Sequence, residues 1–185
     1  MVVHADTCEP SEVIGHRDKK TKTYSGGLLQ KTFAPEQLII RHLDTADYAL
    51  WDKCGHSLGI ERKAGGDLTN SLNNKSRQAN GNVRLLNQIV RLKKEYTYPA
   101  LLLEGTQGYY PFTLAEAGPG GNWGLNGITG WNWLSMQMMI WSWEQDGYKI
   151  FWTPNMQATV ELLRGLNNRA ETGCVLKGLG VKKKK

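Results

Sequence analysis

Three consecutive charged residues, Glu61, Arg62 and Lys63, end an apolar segment of the sequence. Side chains two residues apart on a strand point to the same face, so Glu61 and Lys63 would lie side by side while Arg62 points away. A carboxylate in such a pair can bind a divalent metal, and the ammonium group can orient a water molecule or a phosphate. Taken alone, a charged triplet more often lies on a solvated surface, so its neighbours decide the interpretation.

Further carboxylates stand close to other apolar segments. Asp47 precedes the triplet, Asp67 follows it, and Glu104 closes the apolar run 101–103. Carboxylates are rarely buried without a partner, so several of them beside apolar strands indicate a shared site. Oxygen ligands of this kind suit Mg²⁺ or Mn²⁺, and the sequence therefore predicts a metal-dependent site that hydrolyses phosphodiester bonds. Asp67 also suits the N-cap of a following helix, and the two roles are compatible.

Helical and strand patterns alternate along the chain and predict a single α/β domain, a central mixed sheet flanked by helices. We expect strands at 2–5, 38–43, 49–51, 57–63, 100–103 and 149–152, and helices at 77–95, 131–143 and 156–169. In the first of these helices, helical spacing predicts a core face formed by Val83, Leu86, Ile89 and Val90.

The charge balance favours a polyanionic partner. The net charge is +6 and the isoelectric point is about 9.2, values that suit binding to nucleic acid. Candidate contacts are the basic residues Lys19, Lys20, Arg77, Arg84 and Arg91 and the loop residue Trp123. The three arginines recur along one helix edge that is either solvated or in contact with phosphates. Trp123 would stack on a base or pack on its own domain.

The cysteines and the hydropathy pattern bear on the compartment. Cys8, Cys54 and Cys174 lack metal-site spacing and fit a reducing environment without disulfides. The N-terminus has no apolar signal region and no run approaches membrane-spanning length, so we expect a soluble intracellular protein.

Together, these motifs resemble the nuclease domain of the XPF-type structure-specific endonucleases, which include the Mus-type junction nucleases. The family pattern is G-D-Y, then V-E-R-K-x-x-x-D-L, then an apolar strand ending in Glu. Residues 46–48, 60–68 and 101–104 correspond to it. Residues 3–10 resemble the family's V-D-x-R-E-P opening. Cys8 stands in place of the arginine of that opening, and Ala46 stands in place of the glycine of the G-D-Y motif.

The resemblance implies a restriction-endonuclease-like fold for residues 1–170, with the carboxylates converging at one end of the sheet, followed by a basic tail at 171–185. It implies cleavage of flaps, forks or four-way junctions, and pairing of two copies through the helices at 131–143 and 156–166. Asp47 and Glu61 would be the central ligands of Mg²⁺ or Mn²⁺, and Lys63 the catalytic cation. The supporting residues would be Asp6 and Glu104 in the metal shell, and Arg62, Asp67 and Glu9 around it.

Two alternatives remain open at this stage. The first is a non-catalytic DNA-binding or scaffold subunit, because the family includes partners whose nuclease site has decayed. Cys8 favours it, whereas the retained Asp47, Glu61, Lys63 and Asp67 oppose it. The second is an enzyme that acts on RNA or serves as a restriction-type nuclease, since a fold does not fix a function.

Overall fold

A computed structural model describes residues 1–64, 68, 84–105 and 133–173 of the chain. Its strands are β1 (Val3–Ala5), β2 (His16–Arg17), β3 (Tyr24–Ser25), β4 (Leu38–Ile40), β5 (Tyr48–Trp51), β6 (Ser57–Ala64), β7 (Tyr98–Glu104) and β8 (Lys149–Thr153). Its helices are α1 (Ser11–Ile14), α2 (Leu28–Thr32), a 3₁₀ turn (Pro35–Gln37), α3 (Arg84–Glu95), α4 (Trp133–Gln145) and α5 (Met156–Thr172).

Six strands form a mixed sheet in the order β4-β1-β5-β6-β7-β8. Strands β5 and β6 form an antiparallel hairpin, whereas β6, β7 and β8 run parallel. Parallel neighbours need long crossover connections, and α3 and α4 lie in the sequence between these parallel strands. The predicted α/β architecture with a central mixed sheet flanked by helices is therefore confirmed.

Apolar side chains cover both faces of the sheet. One face packs against α1, α2 and α5 through residues such as Leu58, Ile60 and Leu102. The other packs against α3 and α4 through residues such as Leu101 and Leu103. Because successive side chains of a strand point to opposite faces, β7 is buried on both faces and appears in the sequence as a continuous apolar run.

Helix α3 contacts the sheet through a different stripe from the predicted one. Leu85, Ile89 and Leu92 are buried, while Leu86 and Val90 are 43% and 49% exposed. Two overlapping stripes satisfy helical spacing in this segment, and the buried one includes Leu92, which packs with residues of the β5 region. The predicted core face of Val83, Leu86, Ile89 and Val90 is thus wrong except at Ile89, and Val83 lies outside the described residues.

The polar segment before β4 has more structure than its sequence indicates. It forms α1, the β2–β3 hairpin and α2, and Gly15 packs so closely against the hairpin that a Cβ atom there would lie 2.2 Å from the Ser25 oxygen. Gly15 also has a φ of 80°, a conformation that disfavours other residues. This close contact joins the hairpin to α1, so glycine is required at this position.

The described residues give information on the cysteines and on membrane-spanning helices. Cys54 is disulfide-bonded, so the prediction that the cysteines form no disulfides is wrong. Cys8 is a free and exposed thiol. Within the described part of the chain, every helix is too short or too polar to cross a membrane.

Candidate active site

Asp6 follows the last residue of β1, Asp47 precedes the first residue of β5, and Glu61 lies within β6. The pairing of these strands brings the three residues together. The backbone N–H of Asp6 donates to the Asp47 carbonyl (2.8 Å), and the N–H of Asp47 donates to the Ile60 carbonyl (2.9 Å). The β5–β6 register pairs Tyr48 with Ile60, so the next residues along, Asp47 and Glu61, share the opposite face of the pleat. Residues distant in sequence therefore meet at one end of the sheet.

Glu61 and Lys63 form a buried ion pair. The Lys63 Nζ donates to Glu61 Oε1 at 2.7 Å, and Lys63 and Glu61 are 2% and 4% exposed, respectively. They lie on one face of β6 with Arg62 on the other, as the strand period predicts. Burying either charge without a partner would be costly, so each holds the other in place. The ammonium group is thereby fixed beside the carboxylates before any substrate binds.

Asp47 carries the clearest electrostatic strain in the site. Burial raises its pKa well above the usual range, and the negative charges of Glu61 and Glu9 raise it further. The backbone N–H of Arg62 donates to Asp47 Oδ2 at 2.6 Å, and this bond and the charge of Lys63 lower the pKa only in part. A divalent cation would relieve this repulsion. Since Asp47 and Glu61 offer carboxylate oxygens, they fit Mg²⁺ or Mn²⁺.

Asp6 is buried and oriented by two backbone groups. Its Oδ1 accepts from the N–H of Cys8 (2.7 Å), and its Oδ2 accepts from the N–H of Leu43 (2.9 Å). An ionised carboxylate has about four acceptor positions, so both oxygens retain capacity for a cation. His42 Nδ1 lies 3.6 Å from Oδ2. Hydrogen bonding to Asp6 and the charge of its carboxylate raise the pKa of the Cys8 thiol.

The opposite face of the same strands holds a buried polar network. The Arg62 guanidinium donates from Nε to Glu104 Oε2 (3.0 Å) and from Nη2 to Oε1 (2.5 Å). Its Nη1 lies 3.5 Å from Glu9 Oε2, and the Tyr48 hydroxyl donates to the same Glu9 oxygen. The hydroxyl of Thr159, on α5, donates to Glu104 Oε2 at 2.5 Å. Both carboxylates are therefore held by donors on this face.

The electrostatics of this network follow from burial and pairing. Burial raises the pKa of Glu9 despite the opposing effects of Arg62 and of the Tyr48 hydrogen bond. Burial alone would lower the pKa of Arg62, but the hydrogen bond to Glu104 and the Glu9 charge keep it above its usual value. The guanidinium is thus permanently charged, and its two-point contact fixes the end of β7 against β6.

Several predicted site residues lie elsewhere. The structure places Glu104 with Arg62 on the network face, whereas its predicted metal partners Asp47 and Glu61 share the other face. Lys19 and Lys20 are exposed in the β2–β3 turn, and Arg84 and Arg91 are exposed on α3. Three further predicted residues, Asp67, Arg77 and Trp123, lie outside the described residues.

Sequence reasoning missed two residues beside the site. The Thr159 hydroxyl donates a hydrogen bond to Glu104. The only indication of this in the sequence is that a small hydroxyl residue stands within the apolar stripe of α5. His42 reaches Asp6 because β1 and β4 pair in parallel. No motif spacing could reveal that contact, since it depends on which strands become neighbours.

Comparison with known proteins agrees with this architecture. The ERCC4 domain family matches residues 20–166. Among solved structures, XPF from Aeropyrum pernix in complex with DNA has a TM-score of 0.52 and 18% identity, covering 90% of this chain and 62% of that one. A further structure of XPF from Aeropyrum pernix has a TM-score of 0.57 and 20% identity, covering 90% and 64%. No curated protein matches the sequence significantly.

These matches differ in what they establish. The chain spans less than two thirds of each Aeropyrum pernix structure, and identities this low show a shared fold alone. The family match, in contrast, covers most of the sequence. The chain therefore belongs to the ERCC4 domain family, and its fold is the restriction-endonuclease-like fold of the XPF nuclease domain.

Proposed function

We propose that this protein is a Mg²⁺- or Mn²⁺-dependent endonuclease that hydrolyses phosphodiester bonds in branched DNA. One observation carries the proposal: Asp47, Glu61 and Lys63 share one face at the same end of the sheet, next to Asp6. Membership of a family of structure-specific DNA nucleases supports it. The preference for flaps, forks or four-way junctions rests on the family resemblance.

Each residue of the cluster has a role that its surroundings suit. Asp47 and Glu61 would hold the metal, and Asp6 would complete its shell or fix its position. When bound, the metal would activate a water molecule and neutralise charge on the phosphate. Lys63, held at 2.7 Å by Glu61, would orient the water or the phosphate without a conformational change.

Arg62 and Glu104 would act as positioning residues. Their two-point contact joins β6 to β7 on the face away from the cluster. The backbone N–H of Arg62 also donates to Asp47, so the strand that the network holds is the strand that orients the candidate ligand. Asp67 stays a predicted supporting residue of the same motif.

DNA contacts would come from the exposed basic residues around the domain. We assign this role to Lys19, Lys20, Arg84 and Arg91, together with Arg77, Trp123 and the tail at 171–185. The domain itself would comprise residues 1–170, although α5 continues to Thr172.

The logarithm of the DNA-binding constant falls linearly with the logarithm of the salt concentration, and each phosphate contact should make that slope steeper by about 0.9. Arg91→Gln should therefore lower the slope by about that amount, which a salt titration of DNA binding measures.

The decisive experiment is cleavage of labelled flap, fork, four-way-junction and duplex DNA, and of labelled RNA, with Mg²⁺, with Mn²⁺ and with chelator. Wild type is compared with Asp47→Asn and with Asp44→Asn, whose carboxylate is 88% exposed and serves as the matched control. We expect metal-dependent cutting near the branch that only Asp47→Asn abolishes. Equal cutting by wild type and Asp47→Asn would remove the site assignment, and cutting of duplex or RNA alone would remove the substrate assignment.

A non-catalytic DNA-binding subunit is the second candidate, favoured by Cys8 at the position where the resembled family has an arginine. It predicts branched-DNA binding without cutting under any metal condition.

Self-association is a separate proposal: Met138 and Trp141 on α4 are 54% and 53% exposed, and together with α5 this surface would pair two copies. Sedimentation of wild type and Trp141→Glu should show a dimer only for wild type, and a monomeric wild type at micromolar concentration would refute the pairing.

A further inference from the structure

A group of three side chains with mixed ligand chemistry lies beside the candidate active site. The ligand atoms of Asp6, Cys8 and His42 all lie within 4.8 Å of one another. In the part of the chain that the structure describes, these three side chains are close enough to be able to hold one metal ion together. The proposed hydrolysis uses neither Cys8 nor His42, so their convergence needs a separate explanation.

The backbone fixes the positions from which these side chains extend. Strands β1 and β4 pair in parallel with Ala5 opposite Ile40, and the Arg41 N–H donates to the Ala5 carbonyl at 2.9 Å. The segments that follow the two strands therefore run together. Asp6 ties them by accepting from the N–H groups of Cys8 and Leu43. Only the exposed side chains of Cys8 and His42 would have to turn to meet an ion.

The donor set differs in kind from that of Asp47 and Glu61. Mg²⁺ and Mn²⁺ favour oxygen, whereas a thiolate and an imidazole with one carboxylate oxygen are ligands typical of Zn²⁺. Tetrahedral Zn²⁺ sites with bond lengths of about 2.0–2.3 Å place ligand atoms about 3.5 Å apart. The present spacing of up to 4.8 Å is wider, and rotation of two exposed side chains is enough to close it.

We propose that Asp6, Cys8 and His42 form a site for a thiophilic divalent cation of the Zn²⁺ class, with the fourth position open to water. Three protein ligands with one open position is an arrangement that Zn²⁺ adopts in proteins. The site shares Asp6 with the proposed metal-dependent nuclease centre. If that proposed function holds, Zn²⁺ bound here would also withdraw Asp6 from the Mg²⁺ or Mn²⁺ site and inhibit cutting.

The test measures binding directly and does not require nuclease activity. The full chain is titrated with Co²⁺, followed by absorption, and with Zn²⁺ in competition with a chromophoric chelator. We expect one ion per chain and a thiolate-to-cobalt absorption band. Cys8→Ser should lose the band, and both Cys8→Ser and His42→Ala should weaken Zn²⁺ binding by more than about 10–100-fold, the usual cost of losing an outer-shell partner. His16→Ala, an exposed histidine on β2, is the matched control.

Thermal unfolding of each metal-free variant checks that the fold is kept. The proposal is overturned if wild type binds no Zn²⁺ at micromolar concentration, or if folded Cys8→Ser and His42→Ala bind it as wild type does. Cleavage with Mg²⁺ then separates the two proposals, because Zn²⁺ should inhibit wild type more strongly than Cys8→Ser. Absence of cutting would count against the proposed function alone and leave the binding result intact.

Discussion

The two faces of the sheet at β6 use similar charged residues for opposite purposes. On one face, Arg62 contacts Glu104 and Glu9, with Tyr48 and Thr159 donating to the same carboxylates. On the other face, Asp47 and Glu61 lie close enough to raise the pKa of Asp47 despite Lys63. A network whose polar groups all have partners stabilises the fold, and we call the Arg62 side the satisfied face. On the Asp47 side, the repelling face, the carboxylates destabilise the fold until a cation binds between them. Substitutions on the two faces should therefore have opposite consequences.

The largest effect should come from breaking the satisfied face. Arg62→Met leaves Glu104 and Glu9 buried without their cation, and removing one partner of a buried ion pair costs about 3–5 kcal/mol. The melting temperature should fall by about 6–20 °C for a domain of this size. Differential scanning calorimetry of Arg62→Met beside Arg41→Met, which changes an exposed arginine, measures this. A fall of less than about 3 °C would show that the network does not stabilise the fold.

The second-largest effect should come from a substitution on the repelling face that lowers the cleavage rate without lowering the melting temperature. Asp47→Asn keeps an oxygen for the Arg62 N–H but loses the charge, so metal-dependent cutting should fall by at least about 100-fold. Its melting temperature at neutral pH should equal or exceed that of wild type, because the lost charge was destabilising. Cleavage rates and calorimetry on the same preparation check both halves. A variant that unfolds early would contradict the described electrostatics even if its activity is lost.

The pH dependence of stability should sharpen the same contrast. A carboxyl group with a raised pKa in the folded state keeps its proton while the unfolded chain, with a pKa near about 3.9, releases it. Its contribution to stability is therefore present at low pH and is lost as pH rises towards the folded-state pKa, by about 1.4 kcal/mol for each pH unit that separates the two pKa values. The stability gain of Asp47→Asn over wild type should increase from about pH 4 upward in metal-free buffer. A constant difference across pH would show that Asp47 has an ordinary pKa.

The smallest effect should come from removing one uncharged hydrogen-bond donor from the satisfied face. Thr159→Val removes the hydroxyl that donates to Glu104, while the two Arg62 contacts to that carboxylate remain. A loss of about 1 kcal/mol in the free energy of unfolding is expected. Denaturant titration measures it against Thr32→Val, whose hydroxyl donates within its own helix. If Thr159→Val lowered the free energy of unfolding as much as Arg62→Met does, the Thr159 hydroxyl would be the main stabilising group of the network.

The sequence predicts local features of this molecule better than its long-range neighbours. Alternation along β6 was enough to place Glu61 and Lys63 on one face and Arg62 on the other. The partners of Arg62 come from β7 and from the segment after β1, and Thr159 comes from α5, so their contacts depend on packing that no short pattern encodes. For α3, apolar residues at neighbouring positions allowed two stripes, and only docking against the sheet chose between them.

Arg62 belongs to both faces at once, through its side chain on one and its backbone N–H on the other. The backbone contact survives any change of side chain at Asp47 that keeps an acceptor oxygen. If the proposed nuclease activity were no longer under selection, loss of the charge at Asp47 would therefore not destabilise the fold and would raise its stability. The stability of this fold would accordingly permit a change from the proposed enzyme to a non-catalytic subunit, whereas loss of Arg62 would destabilise both forms.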